Sequence, residues 1–362
     1  MREDKVVASQ TVRWMALGLW LVIAAAVPCF ADDQSPAIKA VIEAAKKEGE
    51  LTLSWGALLG GTEGARRLEG LVNKRFGTDI RFNYTPGPSG PEIAARLAQE
   101  QAAKRPAMTD IYAVSMTAAN AKLFMPVDWQ ALVPELPQAA MKFDRRGVAY
   151  ATLLIGATYN SDLVPEAKAP KSLKDLLDPQ WKGKIGVRVS TTFMAFLALP
   201  QVLGPEGSVE FFRRLGQQAA GMIRCGSAER IASGEFPIFF PDCGDYEARR
   251  AAQNGAKLAH MIPSEGAGMA YFMVGIPNNS AHPNAARLFT AFLLSRAGQD
   301  FEWETDGADY HGLPGSHIAA EIEKFKARGI NFIDEVDVEV QHPELLNVQK
   351  DMLKALQESM QR

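Results

Sequence analysis

The sequence predicts an α/β protein with two units of alternating strand and helix, the first with a mainly parallel sheet between helices. Three observations carry this expectation. Helix-like and strand-like segments alternate from residue 37 to about 115, in the pattern that gives parallel pairing. A second run of alternating segments occupies roughly 160–263. The composition, 47% hydrophobic and 22% charged over 362 residues, suits a globular chain with a substantial core and excludes disordered, collagen-like and mucin-like classes.

The first segment reads as an export signal over residues 1–31. Arg2, Lys5 and Arg13 give a basic start, diluted by Glu3 and Asp4. Trp14 to Val27 is an uncharged apolar run of 14 residues, short of the roughly 20 that span a bilayer. Pro28 breaks it, and Cys29-Phe30-Ala31 offers a cleavage site before Asp32. The expected location is the periplasm after cleavage, and no later segment is long and apolar enough to span. Export leaves Cys225 and Cys243, an even pair that an oxidising compartment favours joining as a disulfide. No Cys/His spacing suits zinc, and no metal or cofactor is expected.

Ile38, Val41, Ile42 and Ala45 recur at helical spacing, and Gly49 ends that helix. Glu50 to Trp55 alternates as a strand. A Gly-rich turn leads to a helix over Ala65–Phe76, closed by Gly77. Asp79–Tyr84 is a strand, Glu92–Ala103 a helix and Thr109–Val114 a strand. Val148–Tyr159 reads as two strand passes. Ser172 caps a short helix, Ile185–Val189 is a strand, and helices follow over Phe193–Leu203 and Glu206–Gln218. Phe236–Phe240 is a buried strand, a helix opens near Asp245, and strands follow at Lys257–Ile262 and Met269–Ile276. Asn284–Ser295 is an amphipathic helix, and the tail from Ala319 is helical.

Small polar residues recur where a strand gives way to a helix: Gly60-Gly61-Thr62, Ser115-Met116-Thr117, Ser190-Thr191-Thr192 and Cys225-Gly226-Ser227. In an open α/β sheet such turns lie at the carboxyl ends of strands, where ligands bind. Helix starts there present unpaired N–H groups and partial positive charge. Four converging starts make an anion site without a metal; each taken singly is equally an ordinary N-cap.

Enzyme signatures are lacking. There is no G-x-S-x-G elbow, no G-x-G-x-x-G after a strand and no P-loop lysine. None of the five histidines stands beside a plausible Ser or Cys nucleophile in sequence; His311 and His317, the latter next to Ser316, read as loop residues. With a formal net charge of −3 and a pI near 6.0, a general nucleic-acid partner is excluded.

The stretches AAKKEGELTLSWG, LVNKRFGTDIRFNY, TDIYAVS, TYNSDLV, LLDPQWKGKIGV, RIASGEFPIFF, GAKLAHMIPSEGAGM and NNSAHPNAARLFTAFLLSRAGQDF, in that order over about 37–301, resemble the extracellular solute-binding proteins of bacterial ABC importers, in the group with the ferric-iron binders. The resemblance implies a two-lobed periplasmic binding fold of type II, each lobe a mixed sheet flanked by helices, joined by hinge strands. Lobe 1 takes 32–155 plus 268–305, lobe 2 takes 156–267, and 306–362 is a C-terminal helical segment of open assignment. It also implies a monomer that closes over a small solute and delivers it to an inner-membrane permease. Ferric binders of the group carry an adjacent Tyr pair after the strand matching FPIFF. Here the stretch reads Pro241-Asp242-Cys243-Gly244-Asp245-Tyr246, without the pair, which disfavours bare ferric ion. An organic anion (a carboxylate, phosphonate or phosphate ester) is the expected solute, with a cationic amine or a ferric chelate as alternatives.

Trp55 could stack on such a solute or lie in the core. Arg188 could pair with its anion or with a structural group. Asp242 suits an amine of a zwitterionic solute or a partner within the fold. Tyr246 could offer a hydroxyl or pack its helix.

Overall fold

The computed structural model describes residues 35–56 and 58–361. The expected export signal lies outside the described residues. Helices α1 (Pro36–Glu48), α2 (Gly61–Phe76) and α3 (Gly90–Ala102) alternate with strands β1 (Glu50–Trp55), β2 (Arg81–Pro86) and β3 (Tyr112–Val114). The Ser35 side chain accepts from Ile38 N–H at 3.3 Å to start α1, and Gly49, at φ +70°, ends it. Short helices α4 (Ala118–Ala121) and α5 (Trp129–Leu132) precede strand β4 (Met141–Lys142). Strand β5 (Gly147–Ile155) is buried along its whole length, as a strand covered on both faces must be.

The chain crosses to a second sheet through Gly156. That sheet holds β6 (Ala157–Asn160), β7 (Ile185–Arg188), β8 (Ala219–Ile223), β9 (Ile238–Phe239) and β10 (Leu258–Met261), in the order β10-β6-β9-β7-β8. Helices α6 (Gly204–Gln218), α7 (Ala228–Ala232) and α8 (Asp245–Gln253) lie between these strands in sequence. The chain returns through residues 262–266 to strand β11 (Ala267–Gly275), which pairs with β5, β3 and a late strand, β12 (Phe332–Asp334). The two crossings run close together. A Cβ on Gly156 would sit 2.1 Å from the Met261 carbonyl oxygen, so only glycine fits there.

Helices α9 (Pro283–Leu293) and α10 (Arg296–Asp306) cover the first lobe, with Phe289 of α9 against Trp55 and Phe82. Helix α11 (His317–Ala327) places Ile318 and Ile322 on Leu154, Ile262 and Ala267, over both crossings. After β12, α12 (Glu335–Gln341) leads to α13 (Leu345–Met360), which packs along α6 in the second lobe. The C-terminal segment therefore belongs to both lobes. Among the described residues no helix is long and apolar enough to cross a membrane.

Several expectations are corrected. The first lobe's sheet is mixed, as the resemblance implies: it is built on the antiparallel pair β5 and β11, and the mainly parallel pairing expected from the early alternation alone is not found. The Thr109–Val114 strand shortens to Tyr112–Val114 because side chains replace its ladder: Asp110 Oδ2 accepts from Thr52 N–H at 2.8 Å and Thr109 Oγ1 from Ser54 N–H at 3.1 Å. The helix expected over Phe193–Leu203 is one 3-10 turn, Ala195–Ala198; Phe193 has φ +64° and Leu199, preceding Pro200, is extended. The capped segment at Ser172 is likewise a single 3-10 turn, Asp175–Leu177. The tail is interrupted by β12.

Candidate functional site

In the second lobe β8, β7 and β9 are adjacent and parallel, so the turns at their carboxyl ends lie side by side. Arg188, the last residue of β7, is buried and binds three carbonyls. Its Nε donates to Ser190 O at 2.8 Å, its Nη1 to Asp242 O at 2.7 Å, and its Nη2 to Thr192 O. Burial draws the guanidinium down to about 10, while Asp242, Glu335 and Glu247 oppose the shift. This side chain ties the β7 turn to the β9 turn. The β8 turn is tied in twice more. A disulfide joins Cys225 to Cys243 with Cα atoms 5.7 Å apart, and Gly226 N–H donates to Glu247 Oε1 at 2.8 Å. Glu247 also accepts from the Tyr246 hydroxyl at 3.1 Å, and burial pushes its carboxyl up. The three turns therefore form one braced block.

That block presents Val189, Ser190, Thr192, Arg224 and Ser227 at its surface. Ser190 Oγ and Thr192 Oγ1 lie 2.7 Å apart. Arg224 follows β8 directly, is exposed, and makes no hydrogen bond or ion pair among the described residues.

In the first lobe β1 and β2 are parallel, and Leu53 bridges Ile111 in parallel, so three more strand ends lie together. The turn after β1 passes through left-handed backbone at Leu59 (φ +54°), Gly60 (φ +70°) and Gly61 (φ +56°). Leu59 N–H is held by Asp306 Oδ2 at 2.5 Å. Helix α2 thus begins at a glycine with no side-chain cap, next to exposed Thr62. Helix α3 has its own cap: Glu92 Oε2 accepts from Ser89 N–H at 2.9 Å and from Ser89 Oγ at 2.6 Å. These bonds hold the Glu92 carboxyl below its ordinary range, and Arg224 of the other lobe adds a smaller pull in the same direction. The β8 turn of the second lobe therefore comes near the start of α3 in the first, without an ion pair between Arg224 and Glu92.

The structure separates the sequence-predicted residues into two groups. Gly61, Thr62, Ser115, Ser190, Thr192, Gly226 and Ser227 lie partly or fully exposed in these turns. The other five are turned inward. Trp55 is fully buried, its ring 5.1 Å from Tyr84 and 6.0 Å from Phe289, out of reach for stacking on a solute. Arg188 spends its donors on backbone carbonyls. Thr191 donates to Gln349 O at 2.7 Å and holds α13. Asp242 accepts from Gly156 N–H at 3.1 Å, Gly244 N–H at 3.0 Å and Thr158 Oγ1 at 3.0 Å. His260 Nε2 lies 2.9 Å from Asp242 Oδ2, an ion-pair contact whose angle falls short of a hydrogen bond. Tyr246 packs its ring on Phe272 at 5.1 Å.

The expected convergence of four helix starts is also corrected. Helix α2 has 16 residues, but α4 has four, α7 has five and the fourth is a 3-10 turn. Only α2 is long enough to carry an appreciable dipole. The residue that sequence reasoning missed is Arg224; its signal was an arginine placed directly after a strand and before Cys-Gly-Ser.

A family model described as bacterial extracellular solute-binding protein matches residues 72–329. A Haemophilus influenzae protein described as uncharacterized is 28% identical over 143 residues, which cover 38% of this chain and only 41% of that relative. The Fe(3+)-binding periplasmic protein of Serratia marcescens is 24% identical over 231 residues, 60% of this chain and 68% of the relative. Among solved structures, the substrate-binding protein of an ABC transporter from Agrobacterium tumefaciens superposes with a TM-score of 0.66 at 16% identity, covering 86% of this chain and 96% of that one. Iron-bound HitA from Pseudomonas aeruginosa gives 0.61 at 17% identity, covering 84% and 99%. AfuA from Actinobacillus pleuropneumoniae, with fructose-6-phosphate bound, gives 0.57 at 18% identity, covering 72% and 83%. With the two-lobed type II periplasmic binding fold in place and the family model spanning most of its length, the chain belongs to the bacterial extracellular solute-binding proteins.

Proposed function

We propose that this protein captures a small anionic organic solute in the periplasm, after cleavage of its export signal, and delivers it as a monomer to an inner-membrane ABC permease. The observation that carries the reading is Arg224, an exposed guanidinium on the braced turns of the second lobe with no ion-pair partner among the described residues. A guanidinium so placed suits bidentate pairing with a carboxylate, phosphonate or phosphate. The uncapped start of α2 supplies N–H donors from the other lobe, and Ser190, Thr192 and Ser227 supply hydroxyls. Val189, 38% exposed beside them, suits an apolar part of the solute. Closure follows if the solute touches both lobes and so binds the closed state more tightly than the open one.

A ferric chelate is the second reading, favoured by the iron-binding relative and the iron-bound structural neighbour. In it the chelator's own anionic groups hold the metal, because Tyr246 is buried and its hydroxyl is bonded to Glu247. Native mass spectrometry of the protein purified without refolding tests both. A retained organic anion without metal supports the first reading. A retained iron complex supports the second, and a retained amine contradicts both.

A further inference from the structure

Cys243 precedes the N-cap Gly244 of α8, and Glu247 lies in the first turn of that helix. Cys225 reaches the same point from the β8 turn. The two sulfurs and a carboxylate oxygen of Glu247 all lie within 4.8 Å of one another. Cys225 is exposed, whereas Cys243 and Glu247 are buried, so the group is closed on the protein side and open to solvent on the other.

Two thiolates and a carboxylate are the donors that zinc and its softer congeners take. In a tetrahedral site with zinc–sulfur distances of about 2.3 Å the sulfurs stand roughly 3.8 Å apart. The present arrangement needs only a modest side-chain movement to reach that. One oxygen of Glu247 is already oriented by Gly226 N–H and the Tyr246 hydroxyl, which leaves the other as the ligand.

We propose that Cys225, Cys243 and Glu247 are a redox-gated site for a soft divalent cation, closed while the disulfide stands and opened by its reduction. A dithiol reductant transfers two electrons and two protons to the pair, giving two thiols as it closes its own disulfide. The cation then displaces both thiol protons and binds two sulfurs and one Glu247 oxygen, with the fourth position left to water. Bound there, it ties the β8 turn carrying Arg224 and Ser227 to α8, as the disulfide does in the oxidised protein.

The test titrates cadmium into the full-length exported chain, oxidised and after reduction with the reductant removed, and follows thiolate-to-metal charge-transfer absorption in the ultraviolet. The reduced protein is expected to bind one cation per chain and the oxidised protein none. Glu247→Gln is expected to weaken binding about tenfold or more. Cys225→Ser with Cys243→Ser abolishes the absorption. Alkylating the reduced wild-type thiols does the same without depending on how either variant folds. Reduced wild type binding no more tightly than its alkylated form overturns the proposal. So does a folded Glu247→Gln protein, checked by circular dichroism, that binds as wild type.

Discussion

The backbone N–H of Gly156 donates to Asp242 Oδ1 at 3.1 Å, and the N–H of Asp242 returns a bond to the Gly156 carbonyl at 2.9 Å. Gly156 is the crossing between the lobes and Asp242 the turn after β9, so this reciprocal pair fixes the path of the crossing. Thr158 and Gly244 complete the carboxylate's shell, and His260 sets a charge beside it. Asp242→Ala leaves these groups buried without their acceptor. It is expected to cost about 3 kcal/mol of stability, the usual scale for removing one partner of a buried ion pair. Urea denaturation at pH 5.5 measures it; a loss under about 1 kcal/mol contradicts the role.

Stability is expected to fall as pH rises from about 5 toward 8. Burial is the largest influence pushing the Glu335 carboxyl up to about 8 from an ordinary 4.5, so the folded chain holds a proton there that the unfolded chain has released. His260 acts in the same direction. Burial opposes its charge, but Asp242 overcomes that and raises the ring above 6.5. Its contribution is full below 6.5 and is lost as pH climbs through the folded value. On the acid side Asp242, held below 3.8 by His260 and backbone N–H groups despite burial, loses its contribution as pH falls. Melting curves from pH 4.5 to 8.5 test the slope. Glu335→Gln flattens it, and an unchanged slope in that variant contradicts the assignment.

Thr191 and its neighbours make opposite predictions although they are consecutive in sequence. Thr191→Ala removes the bond to Gln349 and is expected to cost about 1 kcal/mol without changing solute affinity. Ser190→Ala with Thr192→Ala is expected to weaken solute binding several-fold and leave the melting temperature nearly unchanged. Paired calorimetric and melting measurements decide between them; a Thr191 variant that loses affinity at unchanged stability reverses the assignment.

The disulfide closes a loop between positions 18 apart, which the chain-entropy model values at about 3 kcal/mol. Replacing both cysteines by serine is expected to lower stability by about that amount in metal-free buffer. Solute affinity should fall as well, because the turn carrying Arg224 loses its tether. A double variant with wild-type affinity separates the tether from binding.

Where the sequence carried physical punctuation, the fold was legible. Gly49 and Gly77 marked helix ends, and the apolar run before and after Gly156 announced two strand passes. Strand β8, with its small residues Ala219-Ala220-Gly221, gave no apolar pattern, and pairing direction in β5 and β11 is not written in periodicity at all. The strand-end turns were found at their correct places, but which side chains face outward was not. Alternation shows that Arg188 and Val189 lie on opposite sides of a strand without showing which side is solvent. Arg224 was one basic residue among 39 until the adjacent parallel strands placed it at a strand end.

Calorimetric titration of wild type and Arg224→Gln with sugar phosphates, phosphonates and carboxylates, alongside amines, bare ferric ion and ferric citrate, tests the central claim most directly. Wild type is expected to bind one class of organic anion, and Arg224→Gln to bind it about tenfold or more weakly with an unchanged melting temperature. Binding confined to amines or bare ferric ion, or equal anion affinity in the two proteins, contradicts it.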